Sequence, residues 1–347
     1  MTAALIVLLY SVTVAWCVPS ALSRLTASGT GARLGVAVWL TAMASVLFSG
    51  GVSLFFLIRA AVDGWTRLAE VVCRSVAGGA CTPVVYRNAL FELGLGIVAV
   101  LAAYAAAMLA LRCGRRLQAA RQRTRSHAEA AFLTGRHLGP STVVLDVPQR
   151  ASYCLPPGII VVTSGALGIL APAQLDAVLA HERAHLAGRH HLLLAISRGL
   201  AATFPAVPLF TRGQAEVARL AEMAADDTAA RRAGRRPLIE ALVAMGTGTA
   251  VPVSALPAVA LPVSALPVSA LPAVALPAVA LPAVALPAVA LPAAALGAAS
   301  YAVTARVQRL LEPADRGSLV RYRAGLMAAL VALPAMTALV YTLAASA

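Results

Sequence analysis

Four stretches of this chain, residues 3–18, 34–58, 90–111 and 324–343, run apolar for close to the length a bilayer demands of a crossing helix, about 20 residues. Segments of that length predict an integral membrane protein, mostly α-helical, with about four transmembrane helices. The composition agrees, with 60% apolar and only 12% charged residues. The first stretch lacks a basic start and a small-x-small cleavage site, so it reads as retained rather than removed as a signal peptide. The first three spans carry no charge at mid-depth, Glu92 sitting near one end of the third, which points to an anchor and packing scaffold rather than a transport path.

The 28 basic residues include no lysine, so orientation rests on arginine. Arg112, Arg115, Arg116, Arg121, Arg123 and Arg125 follow the third span and form the densest basic cluster beside any of them. Such clusters stay in the cytoplasm. The expected topology is a multi-pass protein of a bacterial plasma membrane, with its N-terminus outside and residues 20–33 inside. Residues 59–88 lie outside again, the segment after residue 112 lies in the cytoplasm, and the C-terminus lies outside. The net charge of +14 is explained by topology and anionic lipid, and no nucleic-acid-binding motif accompanies it, so no direct nucleic acid binding is expected. Cys73 and Cys81 close a short loop on the expected outer face, where either a disulfide or two free thiols would fit.

The chemistry concentrates in His181-Glu182-Arg183-Ala184-His185. Positions i and i+4 share a helix face, so His181 and His185 can offer two imidazole nitrogens to one zinc ion while Glu182 faces a water beside it. The surroundings read as a helix over 173–186, with Pro172 suited to its first turn and Leu175, Val178, Leu179 and Leu186 forming an apolar stripe. Two histidines and a carboxylate on so apolar a helix would be costly to bury without a partner, and a metal is the simplest one.

A catalytic zinc takes three protein ligands. Glu222, in Glu222-Met223-Ala224-Ala225-Asp226, is the favoured third. On a second helix it shares a face with Asp226, which would accept a hydrogen bond from the far nitrogen of a ligand histidine and fix its tautomer. The competing candidate is His191, because His181-x3-His185-x2-Gly188-x2-His191 fits the metzincin spacing. That reading leaves Asp226 without a role and predicts a helix break where apolar Leu192–Ile196 carries on. His190 and His191 then read as polar residues at a helix end, and Asp227 as a solvated neighbour.

Residues 141–146 and 158–163 read as strands bounded by proline and glycine. Ile159, Ile160, Val161 and Val162 are the candidate edge for pairing with a substrate backbone, or else an ordinary core strand. Residues 192–210 are apolar enough for a fifth span, but one crossing there would part His181 from Glu222 by a bilayer about 30 Å thick. They are therefore expected to form a buried or membrane-surface helix pair. Residues 251–295 consist of nine Leu-Pro-Ala-Val-Ala-like pentapeptides, with proline at every fifth position from Pro252 to Pro292. That density forbids a regular helix or central strand, which leaves an extended tether. A helix resumes over 301–311.

These features together resemble the integral-membrane zinc metallopeptidases whose best-known members are the BlaR and MecR transducers, themselves akin to HtpX and the CAAX prenyl proteases. The matching residues are the N-terminal spans, Ile160–Leu167, Ala180–His185, Glu222–Asp226 and Arg306-Val307-Gln308-Arg309-Leu310-Leu311. The resemblance implies a cytoplasmic α+β gluzincin-like domain with a small sheet, one Zn2+ held by His181, His185 and Glu222, and Glu182 as general base. Because residues 344–347 alone follow the last span, the penicillin-binding sensor of those transducers is expected to be absent. The expected organisation is a membrane domain over 1–111, a protease domain over 112–250, the repeat linker over 251–297, a helix completing the protease over 298–323 and a final span over 324–347.

The function expected from all this is a membrane-embedded zinc endopeptidase. It would act on cytoplasmic or membrane proteins, a transcriptional repressor in a signalling pathway among them. The competing expectations are a general quality-control protease and a catalytically silent receptor or scaffold. Intact ligands and an intact Glu182 speak against the silent form.

Overall fold

The computed structural model describes residues 2–76, 83–248, 303–312 and 316–346. The chain is mostly helical, with ten helices and four short strands among the described residues: α1 (Thr2–Thr26), α2 (Ala32–Val76), α3 (Pro83–Thr134), β1 (Arg136–Gly139), β2 (Thr142–Leu145), β3 (Ser152–Leu155), β4 (Ile159–Thr163), α4 (Ser164–Leu167), α5 (Pro172–Ala187), α6 (His190–Thr203), α7 (Pro208–Ala233), α8 (Arg235–Thr247), α9 (residues 303–311) and α10 (Arg316–Ser346). The pentapeptide repeat lies outside the described residues. Four segments are long and apolar enough to cross a membrane, Ile6–Thr26, Ala32–Arg59, Gly96–Arg115 and Leu319–Thr342. They correspond to the four stretches picked out by hydropathy.

The chain divides into two compact units, and the boundary falls inside α7, between Ala221 and Glu222. The first unit takes residues 1–121, 192–221 and 315–347. In it α1, α2 and α10 pack together. The few polar side chains between these helices satisfy one another: Ser11 Oγ donates to Ser49 Oγ at 2.7 Å, and the Tyr10 hydroxyl stands 2.9 Å from Thr337 Oγ1. Arg219 ties the first half of α7 to the end of α1 by donating to the carbonyls of Thr26 and Ala27 at 2.7 and 3.2 Å. A side chain at Gly213 would strike Met43 and Trp39, so glycine sets how closely α7 approaches α2.

The second unit takes residues 122–191 and 222–314. Its sheet runs β1-β2-β4-β3, with β2 and β4 parallel and the two outer pairs antiparallel. Alternate residues of β4 face opposite ways. Val161 packs with Leu155 against Ala128 and Ala131 at the end of α3, while Ile160 and Val162 pack against Leu175, Leu179 and Leu186 of α5. β4 is thus covered on both faces and hydrogen-bonded on both edges. This corrects one expectation: Ile159, Ile160, Val161 and Val162 are not an edge. β3 is the edge on that side.

α5 starts where proline needs no backbone partner, with Pro172 in its first turn and the Gln174 side chain accepting the Ala171 N–H at 3.0 Å. Its small residues Ala177 and Ala180 let it pack closely on Ala229, Leu238, Ile239, Val307 and Leu310 of α7, α8 and α9. Gly234, at φ 92°, makes the turn from α7 to α8 in the left-handed region that a side chain disfavours. Of the two cysteines considered for a disulfide, Cys73 is a free, exposed thiol near the end of α2, and Cys81 lies outside the described residues.

Candidate metal centre

α5 and the second half of α7 bring the predicted residues together. His181 and His185 project from successive turns of α5, and their Nε2 atoms stand 3.0 Å apart. Glu222 of α7 faces both, with Oε2 at 3.4 Å from His181 Nε2 and Oε1 at 3.5 Å from His185 Nε2. His181, His185 and Glu222 each offer one donor atom, all within 4.8 Å of one another, and they are the only such group of histidine, cysteine or acidic residues among the described residues. Bonds of about 2.0–2.2 Å in a tetrahedral zinc site set neighbouring donors about 3.3–3.5 Å apart, which the two carboxylate–imidazole distances match, while the two Nε2 atoms stand somewhat closer at 3.0 Å. Two imidazoles and a carboxylate are also the donor set that zinc takes.

Behind the ligand face stand the groups that hold it. His181 Nδ1 is 3.0 Å from Asp226 Oδ1, a close ion-pair contact that is off the axis of a straight hydrogen bond. Asp226 is fully buried and receives two hydrogen bonds from Arg306 of α9, at 2.7 and 2.6 Å. The same guanidinium reaches Glu222 Oε2 at 3.1 Å. Burial works against charge on these carboxylates and is overcome. Hydrogen bonds to His181 and His185, with Arg306 beside them, hold Glu222 well below the usual carboxylate range, and Arg306 and His181 hold Asp226 down. For His181 burial disfavours the proton, but Asp226 and Glu222 outweigh it and push the ring up to about 9.

Glu182 is buried beside this group, and Ser152 Oγ of β3 donates to its Oε1 at 3.1 Å. Cys154, also on β3, feels the same carboxylate: burial first, then the Glu182 charge, pushes its thiol up to about 12. Edge strand β3 therefore presents Ser152 and Cys154 toward the general-base candidate.

Three residues were not assigned a role from sequence. Arg306 sits among the motifs quoted for the resemblance, but no periodicity could link it to Asp226 across the repeat. Ser152 carried no signal beyond strand alternation. His190, read above as a polar residue at a helix end, is buried, with its Nδ1 2.9 Å from His185 Nδ1. Asp227, read as solvated, pairs with Arg309 at 2.7 Å. The helix does break at Gly188 and Arg189, as a metzincin-like site would require. Even so, the donor group is completed by Glu222 and not by His191.

Residues 115–245 match peptidase family M48. No curated protein and no solved structure matches the chain. The stretch similar to peptidase family M48 contains His181, Glu182, His185, Glu222 and Asp226, and leaves Arg306 outside. The likeness supports a metallopeptidase; peptidases of family M48 depend on zinc, and the donor triangle here could hold a metal ion.

Proposed function

We propose that the chain is a membrane-anchored zinc endopeptidase, in which His181, His185 and Glu222 hold the ion and Glu182 is the general base. The observation that carries the reading is the convergence of the two Nε2 atoms and the Glu222 carboxylate, with Glu182 one residue along the same helix. When bound, zinc supplies the Lewis acidity that activates water and polarises a scissile carbonyl. Glu182 takes the proton of the attacking water and delivers it to the leaving amine. Ser152 fixes one Glu182 oxygen and so aims the other. The Asp226 carboxylate keeps a proton on His181 Nδ1, leaving the Nε2 lone pair for the ion. Substrate backbone would add to the sheet at β3, the edge next to Glu182, where main-chain hydrogen bonds accept any sequence.

Four apolar helices and the arginine cluster after the third support a multi-pass protein whose peptidase unit faces the cytoplasm. Its substrates would be cytoplasmic or membrane proteins, with a repressor of transcription as one candidate. The test uses the purified full-length chain in detergent, incubated with unfolded protein substrates. Cleavage should stop on chelation and return with zinc. Glu182→Gln should bind zinc like the parent and cut at least about a thousandfold more slowly, an outcome tied to loss of the base. Equal rates for parent and variant would refute the assignment.

A further inference from the structure

The two ligand imidazoles are backed by different groups. His181 has a carboxylate behind it, and His185 has a second imidazole. The rings of His185 and His190 stand nearly perpendicular, at 89° with centroids 4.7 Å apart, and their Nδ1 atoms are 2.9 Å from each other. His190 is only 7% exposed. The turn between α5 and α6 is built to put it there. Arg189 takes φ 49°, in the left-handed region that a residue bearing a side chain disfavours. A Cβ on Gly188 would run into the His190 ring, 2.6 Å from its Cδ2. Both departures let His190 fold back over the end of α5 onto His185.

We propose that His190 is a positioning residue that fixes the tautomer and ring angle of His185 for the metal. The inference rests on the reading that His181, His185 and Glu222 bind zinc. A His185 ring that gives its Nε2 lone pair to the ion must carry its proton on Nδ1. That N–H faces His190 Nδ1, which must accept it and therefore keeps its own proton on Nε2. One short hydrogen bond thus defines both rings. It also makes the ligand pair unequal, because a neutral imidazole polarises His185 less than the Asp226 carboxylate polarises His181.

The experiment is zinc affinity of the full-length chain in detergent, measured by competition with a chromogenic chelator, alongside helix content and thermal melting of each variant. An Asn side chain places its Oδ1 where His190 has Nδ1, so His190→Asn keeps an acceptor. His190→Phe fills the space without one. Gly188→Ala leaves the histidine but obstructs its seat. We expect His190→Phe and Gly188→Ala to weaken zinc binding about 10- to 100-fold and His190→Asn to stay within a few-fold of the parent. Parent-like affinity in His190→Phe would overturn the proposal. Equal loss in the Asn and Phe variants would overturn it too, since filling and not hydrogen bonding would be at stake. Should the Phe variant fail to fold, Gly188→Ala against His190→Asn makes the same comparison. A failure of the underlying reading looks different: the parent would bind no more zinc than His181→Ala.

Discussion

Arg306 and Asp226 are joined by two hydrogen bonds of 2.7 and 2.6 Å, and this pair, 80 positions apart in sequence, forms the floor beneath His181. Asp226 is fully buried, so its charge depends on the guanidinium. Arg306→Met leaves that charge uncompensated and is expected to cost about 3–5 kcal/mol in denaturant unfolding. Arg306→Lys recovers only part, because an ammonium cannot reproduce the two-pronged contact. The double variant Arg306→Met, Asp226→Leu should regain much of the lost stability while still binding zinc weakly, since nothing then backs His181. If the double variant is less stable than Arg306→Met alone, the buried charge is not the source of the loss.

His181 is pushed up to about 9 by Asp226 and Glu222, against the effect of its burial. A group raised above its ordinary value keeps its proton through neutral pH, and zinc must displace that proton from Nε2. Apparent zinc affinity should therefore fall by about tenfold per unit as the pH drops below about 9, and level off above it. Titration calorimetry at several pH values in buffers of different ionisation enthalpy reads both the slope and the released proton. An affinity constant between pH 6 and 9 would mean that His181 is already neutral, contrary to the electrostatics around it.

Ser152 touches the site only through Glu182 Oε1. A hydrogen bond to a charged group is worth about 1.5–3 kcal/mol, so Ser152→Ala should lower kcat by about ten- to a hundredfold. Zinc content should not change, since Ser152 touches none of the three ligands, and KM should change little. A loss confined to KM would instead place Ser152 in substrate binding along β3.

Much of the site was legible in the sequence because it obeys helical spacing. His181 and His185, and again Glu222 and Asp226, are pairs four apart, and Pro172 marks the start of α5. The four apolar segments were legible for the same kind of reason, a length set by the bilayer. Sheet order was not. Ile159–Val162 is an unbroken apolar run, which suits a strand covered on both faces better than an alternating edge, and β4 is indeed central. Arg306 escaped because contacts between distant segments leave no local period. His190 escaped because its role depends on a turn geometry, Gly188 followed by Arg189 at positive φ, that polarity alone does not reveal.

The central claim is that one ion is held jointly by α5 and α7, and its most direct test is elemental analysis of the purified full-length chain beside Glu222→Ala and His191→Ala. The account predicts one zinc per chain in the parent and in His191→Ala, and far less than one after dialysis in Glu222→Ala. Full zinc in Glu222→Ala with loss in His191→Ala would contradict it.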